Sequence, residues 1–516
     1  MKKFFIGLTI ACSCLSFTES KGQAIPGYGY HQEALQFSRT TFGGSARYMG
    51  IGGAATALGG DIGTVHNNPA GLGFYRRSEV SGTPALNFGN SNGHFLGQST
   101  QDRHSRLNIN NFGAVFADPA PDYGDNVWRG GAFGVSFTRT NNFNNQYTIG
   151  GMNHDNSMTY HLADISQGFH WNDDRNHPPI DMIDLALSSA MFDSDETGRF
   201  HFPINEGVPS YQEETVRQRG GQFQWDIGYG GNFGDVVYLG GSIGIARIRQ
   251  TTERTYYEQP DYTGLETYED DIRDFEIYDY NEIRGTGINL NLGAIVVPTD
   301  WIRFGLNFKS PTWYTMNEEY FHVLHERFWD NYEQELETTF NTYRFHLTTP
   351  MRVSAGMALF SGKNGFISAD VEYVDYSTAA VRNPDSPREL RGDNAAIQNL
   401  YRGTVNVNVG AEYRFDMYRL RSGFALLGDP LERPDDINRN VFNFTVGGGV
   451  RLPDFYIDAA LVHSRTRFSY APYTLTDEIQ PRRHSYDPLN TIRGDHPIAN
   501  IRRLNTNFIV SVGTFF

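Results

Sequence analysis

The chain alternates apolar and polar residues with a period of two over segment after segment, a pattern that fits β-strands with two unlike faces and little else. Over 287–296, Ile288, Leu290, Leu292, Ala294 and Val296 share one face while Asn289, Asn291 and Gly293 share the other. Val405, Val407, Val409, Ala411 and Tyr413 oppose Asn406, Asn408, Gly410, Glu412 and Arg414 in the same way. About fourteen such segments recur, near 79–89, 106–117, 129–140, 220–230, 235–250, 281–297, 301–316, 343–360, 364–378, 401–415, 418–427, 440–451, 455–468 and 503–516. An even count is the rule for bacterial membrane barrels.

The connections carry a second constraint, a strict alternation of short and long. Tight turns are expected at 231–234, 298–300, 361–363, 416–417 and 452–454, with long polar stretches at 141–219, 251–280, 317–342, 379–400, 428–439 and 469–502 between them. Outer-membrane barrels place short turns on the periplasmic side and long loops outside, whereas a soluble sandwich has no reason to keep that rhythm. The expected fold is therefore all-β: a membrane-spanning antiparallel β-barrel with both termini periplasmic.

The other ways of crossing a membrane are excluded by composition. Past the first residues no stretch approaches the roughly 20 consecutive apolar residues of a spanning helix, yet the chain carries 29 Tyr, 37 Phe and 55 Gly. Lys2 and Lys3, the apolar run from Phe4 to Phe17 and the small and polar residues to Ala24 predict a secretory signal peptide over 1–24. A lipidated Cys12 is the poorer alternative. Both cysteines, Cys12 and Cys14, lie in that leader, so thiol chemistry is not expected of the mature chain. Removing the leader takes away three lysines and one glutamate, moving the formal charge from −16 to −18 and leaving nothing to attract nucleic acid. No cofactor, metal site or catalytic group is expected: the histidines lack metal spacing and no Gly-x-Ser-x-Gly elbow occurs.

The last strand ends Phe508, Val510, Val512, Thr514, Phe516 on one face, and a terminal aromatic at Phe516 resembles the signal read by barrel-assembly machinery. At the other end, residues 25–78 are Gly-rich with little alternation, and are expected to fill the lumen of the barrel over 79–516 as a periplasmic plug. Here the sequence resembles the FadL-like (OMPP1/TodX) family of outer-membrane transporters. The resemblance rests on Ala46-Arg47-Tyr48-Met49-Gly50-Ile51-Gly52-Gly53-Ala54, on Asp61 and Asn67-Asn68-Pro69-Ala70-Gly71-Leu72, on Arg303-Phe304-Gly305-Leu306-Asn307-Phe308-Lys309-Ser310-Pro311, on Thr349-Pro350 leading to Gly356, and on Asp370 to Ser377. It implies a fourteen-stranded barrel with an N-terminal hatch, passive uptake of hydrophobic compounds such as long-chain fatty acids, and sideways release into lipid. The expected partners are a hydrophobic small molecule, outer-membrane lipid and lipopolysaccharide.

Candidate working parts follow. Gly50, Gly52, Gly53, Asn68, Pro69 and Ala70 are expected at the hatch and ligand site, the alternative being a structural turn. The spacing Gly50 to Ala55 also fits a dinucleotide loop, which the absence of βα units rejects. Asn141, Asn142, Phe143, Asn144 and Asn145 break the alternation of the third strand; the resemblance implies a kink for lateral exit, the plainer reading being the start of a loop. Ile180, Ile183, Leu187, Ala190 and Met191 predict a short amphipathic helix capping the outer mouth, a landing site for ligand or, the commoner case, a helix packed on neighbouring loops. Arg303, Lys309, Glu412, Arg414, Arg419 and Arg421 are expected to face the lumen, to meet a ligand carboxylate or to form a charge ladder against the plug. Glu269-Asp270-Asp271 reads as solvated loop. From a different class, a protein-interaction or secretion-shuttle barrel is the competing function.

Overall fold

The computed structural model describes residues 29–41, 43–120, 127–166, 181–189, 193–194, 200–201, 208–264, 272–432, 438–475 and 496–516. The leader over 1–24, Ile180, Ala190, Met191 and the acidic run 269–271 lie outside them.

Fourteen wall strands, all antiparallel to their neighbours, close into one barrel among the described residues. In order they are Glu79–Phe95, Gln98–Pro119, Trp128–Asn142 continued by Asn145–Asn153, Ser210–Phe233, Val237–Pro260, Ile272–Thr299, Ile302–Lys309 continued by Trp313–Phe328, and Asn341–Thr348 continued by Arg352–Phe360. Then come Gly365–Asp375 with its extension Ala380–Arg382, Gly403–Phe415, Tyr418–Leu427, Val441–Arg451, Phe455–Tyr470 and Ala499–Phe515. The fourteenth strand pairs with the first from Glu79 opposite Phe515 to His94 opposite Asn500, which closes the barrel.

The faces of these strands are inverted relative to a soluble protein. Ile243, Ile245, Ile288, Leu290, Leu292, Phe304, Leu306 and Phe308 are exposed on the exterior, Leu306 by 60 %, while Asn289, Asn291 and Ser511 on the interior are buried. A continuous apolar belt of this extent is solvated by hydrocarbon, not water. Trp301, Phe415, Tyr418, Phe455 and Phe516 lie exposed at its short-turn end, the position of an aromatic girdle. No helix among the described residues is long and apolar enough to cross a membrane. Ser78 and Phe516 exchange backbone hydrogen bonds, so the barrel begins and ends at that same short-turn end.

Three expectations are corrected. The alternation of short and long connections is not strict, because the first two strands join at the long-loop end through only Leu96 and Gly97, with φ of 45° and 79°. The stretches expected as loops at 251–280 and 317–342 are largely strand: the fourth, fifth and sixth strands run 24, 24 and 28 residues, well past the roughly 10 that cross a bilayer. Beyond the belt the outward face meets water, so Arg249, Thr251, Glu253 and Thr255 erase the alternation although the ladder continues. Thirdly, the helix near 180 spans only Met182–Ser188 and buries Leu185 and Ala186 against Met158, Leu162, Phe275 and Leu324. Of the predicted apolar face only Ile183 and Leu187 lie among the described residues, and both are half-buried.

Candidate functional site

Residues 29–78 lie against inward-facing residues of wall strands on many sides. Three short helices form, α1 (Tyr30–Ser38), α2 (Ala46–Gly50) and α3 (Thr64–Asn67), followed by a 3₁₀ turn at Pro69–Phe74. α2 and the 3₁₀ turn have visible local causes. The Ser45 side chain accepts from the Tyr48 amide at 3.1 Å and caps α2. Gly52 and Gly53, with φ of 64° and 76°, reverse the chain beyond it, a conformation closed to most side chains. Asn68 accepts from the Ala70 amide at 3.2 Å, and Pro69 stands at the start of the turn where no amide proton is needed.

The wall makes room for this segment with inward glycines. A β-carbon built on Gly293 would overlap the Asn68 side-chain oxygen, and one on Gly305 would overlap the Thr56 carbonyl; Gly240, Gly410 and Gly423 stand equally close to Pro69, Ile51 and Gly52. Backbone meets backbone there, and polar groups lock it. Asn68 donates to the carbonyls of Thr56 at 2.7 Å and Leu306 at 3.3 Å. The Thr56 amide donates to Asp370 at 2.8 Å, Ser368 donates to the Ala54 carbonyl at 2.6 Å, and Thr445 donates to the Gly50 carbonyl at 2.9 Å.

The structure places the sequence-chosen charges Arg303, Lys309, Glu412, Arg414 and Arg421 on the inner face, four of them in contact with partners on or beside this segment. Glu412 accepts from Arg421 and Arg414, each at 2.7 Å, and lies 3.5 Å from Arg47 of α2; Arg421 also donates to Asp458 at 2.6 Å. Lys309 is 3.4 Å from His66, whose other ring nitrogen is 2.7 Å from Asp226. Burial, then the Lys309 charge, pushes the His66 imidazole below its ordinary range, which fits a neutral ring donating to Asp226 and accepting from Lys309. Arg303 is stacked between the rings of Phe74 and Phe360 at 4.5 and 4.3 Å. A polar cavity of about 110 Å³ lies beside this network, with Thr40, Tyr48, His66, Lys309, Arg352 and Glu372 in its lining.

Above it α1 occupies an apolar chamber. Tyr30, Ala34 and Phe37, one face at i, i+4 and i+7, pack against Tyr314, Met316, Phe345, Leu347, Ile397 and Tyr401. Pro311 and Pro350 interrupt the seventh and eighth strands side by side at this level, bridged by Thr312 and Thr349, whose backbones and hydroxyl exchange bonds of 3.1 and 2.9 Å.

The end of α1 touches the interrupted third strand. Its first segment stops at Asn142 and its second begins at Asn145, with a register shift between Arg139 and Asn141 against the fourth strand. Phe37 meets Phe143 edge-on at 5.6 Å, Asn141 donates to the Arg39 carbonyl at 3.1 Å, and the Thr41 amide donates to the Thr140 carbonyl at 2.9 Å. On its other side the strand leaves its neighbour: second and third strands pair only from Asn111 opposite Thr138 to Pro119 opposite Gly130. Past that point side chains replace the ladder. Asp102 accepts from the Thr148 amide at 2.6 Å, Asn108 is bonded to Arg139, and Arg139 donates also to Asn142 and the Gly220 carbonyl at 2.9 Å each.

Sequence reasoning missed Arg139, His66, Asp226, Asp458, Arg352 and the whole of α1 as participants. Only α1 had a signal, the spacing of Tyr30, Ala34 and Phe37. Among the described residues no cluster of His, Cys, Asp and Glu is arranged to hold a metal ion.

No protein-family model and no curated protein sequence matches the chain. Solved structures do resemble it in fold. A FadL homologue of Pseudomonas aeruginosa is 13 % identical with a TM-score of 0.54, over 92 % of this chain and 98 % of that one. The toluene transporter TodX of P. putida is 12 % identical with a TM-score of 0.51, over 92 % and 99 %.

Proposed function

With a FadL-type barrel fold as the premise, we propose that the chain is an outer-membrane channel for passive entry of hydrophobic small molecules. Residues 29–78 act as its hatch, and the gap between the second and third wall strands is its lateral exit. The observation that carries this reading is the contact of α1, seated in an apolar chamber, with the interrupted strand at Phe143 and Asn141. An apolar solute gains free energy by taking the place of Tyr30, Ala34 and Phe37. Moving α1 together with Arg39 and Thr41 just beyond it releases the bonds these two hold at 140–141, beside the part of that strand pair where side chains instead of a ladder keep the wall closed. From there the solute partitions into lipid without crossing water.

Several features support the finer assignment. The toluene transporter and the FadL homologue share the fold, which favours a hydrophobic ligand. Lys309 and Arg352, lining the polar cavity below the chamber, suit the carboxylate of a long-chain fatty acid. Short turns at the end bearing Ser78 and Phe516 support a periplasmic position for that end, where Phe516 would be available to assembly machinery.

Native mass spectrometry and lipid extraction of detergent-purified protein test the reading, comparing wild type with N68A/P69A. A co-purifying apolar compound that is depleted in the variant supports it. The polar lining of the cavity favours the competing secretion-shuttle reading, and an empty chamber with a co-purifying protein would establish that one instead.

A further inference from the structure

On the outward face of the thirteenth strand, Phe455, Ile457, Leu461, His463, Arg465 and Arg467 follow one another at every second or fourth residue, so the apolar belt gives way to two arginines. Arg467 lies directly opposite Arg502 of the fourteenth strand, and Arg465 opposite Leu504. Leu504 is in turn opposite Asn90 of the first strand, and Asn90 opposite Arg103 of the second. Arg465 stands ten residues from Phe455, which at strand rise and barrel tilt is about 26 Å along the axis, the far boundary of an apolar band.

Like charges placed directly across two strands destabilise a sheet. Elsewhere on this rim the chain avoids the problem: Arg249 and Arg284, also cross-strand neighbours, both donate to Glu282, at 2.8 and 2.6 Å, and Arg219 lies 3.6 Å from Glu253. Arg465, Arg467 and Arg502 have no acidic partner among the described residues. Beneath them Leu461, Phe508 and Phe88 are exposed on the belt. Three guanidiniums above an apolar surface match an amphiphile with phosphates at one end and acyl chains at the other. A free phosphate would use only the upper half.

We propose that Arg465, Arg467 and Arg502, extended by Arg103, bind the phosphorylated headgroup of a lipid A-type glycolipid, with its acyl chains on Leu461, Phe508 and Phe88. The site rests on the outer-membrane orientation proposed above, which puts this boundary in the outer leaflet. Its anion neutralises the opposed pair and anchors the seam where the barrel closes.

The test is native mass spectrometry of the full-length protein in detergent, titrated with purified lipid A and, separately, with phosphatidylglycerol. Wild type, R465Q/R467Q/R502Q and the charge-keeping R465K/R467K/R502K are compared, each shown to be folded by heat-modifiable electrophoretic mobility. The expected result is one lipid A retained by wild type, affinity at least tenfold lower in the glutamine variant, partial rescue by lysine, and weaker phosphatidylglycerol binding throughout. Equal lipid A binding by wild type and the glutamine variant overturns the site, and equal affinity of wild type for the two lipids overturns the assignment to glycolipid. Membrane fractionation of the same cells, with protease accessibility of the 476–495 segment in intact cells, separates the premise: wild type outside the outer-membrane fraction, or that segment protected until cells are broken, would refute it, whatever the lipid titration shows.

Discussion

Gly293 has room for a hydrogen and little more, because the Asn68 side-chain oxygen lies where a β-carbon would stand. Along the sequence Gly293 is one small residue on a polar strand face; its partner is more than two hundred positions away, so nothing local reveals the contact. Gly293→Ala is expected to weaken the seating of residues 56–70 by about 2 kcal/mol through overpacking. Asn68→Ala strands the Thr56 carbonyl and the Ala70 amide and is expected to cost about 3 kcal/mol. Native-state hydrogen exchange of that segment measures both, and unchanged protection would contradict the contact. Arg139 was invisible for the same reason: it looks like the last polar residue of a strand, but its bonds to Asn108 and the Gly220 carbonyl join elements far apart in the chain. Arg139→Gln is expected to raise the exchange of the amides at 145–149 at least tenfold, since the wall there has no ladder to the second strand.

At the scale of elements, α1 responds to pH through Glu33. Burial, followed by the charges of Glu318 and Asp393, raises the Glu33 carboxyl well above its ordinary range, and its Oε2 has no hydrogen-bond partner. A carboxyl raised in the docked state binds its proton more tightly there than when released. Docking is therefore strongest below the ordinary carboxyl range and weakens as pH rises through the raised value. Hydrogen exchange over 30–38 is expected to be faster at about pH 8 than at about pH 5 after correction for intrinsic rates, with the difference reduced in Glu33→Gln. The strands were legible for a physical reason: period-two alternation survives wherever one face meets hydrocarbon and the other the lumen. It fails above the belt, where both faces are polar, which is why 251–260 and 272–280 read as loop while the ladder runs on. The break at Asn142–Asn145 was legible as a run of turn-forming side chains, although its inward neighbours Phe37 and Arg39 were not.

Across the whole molecule, the fourteenth strand closes the barrel on the first, and the exterior belt ties folding to a bilayer. The N-terminal segment meets inward-facing glycines and polar groups of many strands, so the transport proposed here would come from moving α1 and the third strand while the rest of the wall stays fixed. The decisive measurement is the entry rate of radiolabelled oleate and toluene into cells lacking channels of this kind. Cells would express wild type or N141T/N142V/N144V/N145T, the variant that restores a regular strand. The account predicts that wild type speeds entry of at least one of the two compounds at least tenfold over empty cells and that the variant, present at equal level in the outer membrane, loses that gain. Entry as fast through the variant would remove the lateral exit, and no gain with wild type for either compound would contradict the channel itself.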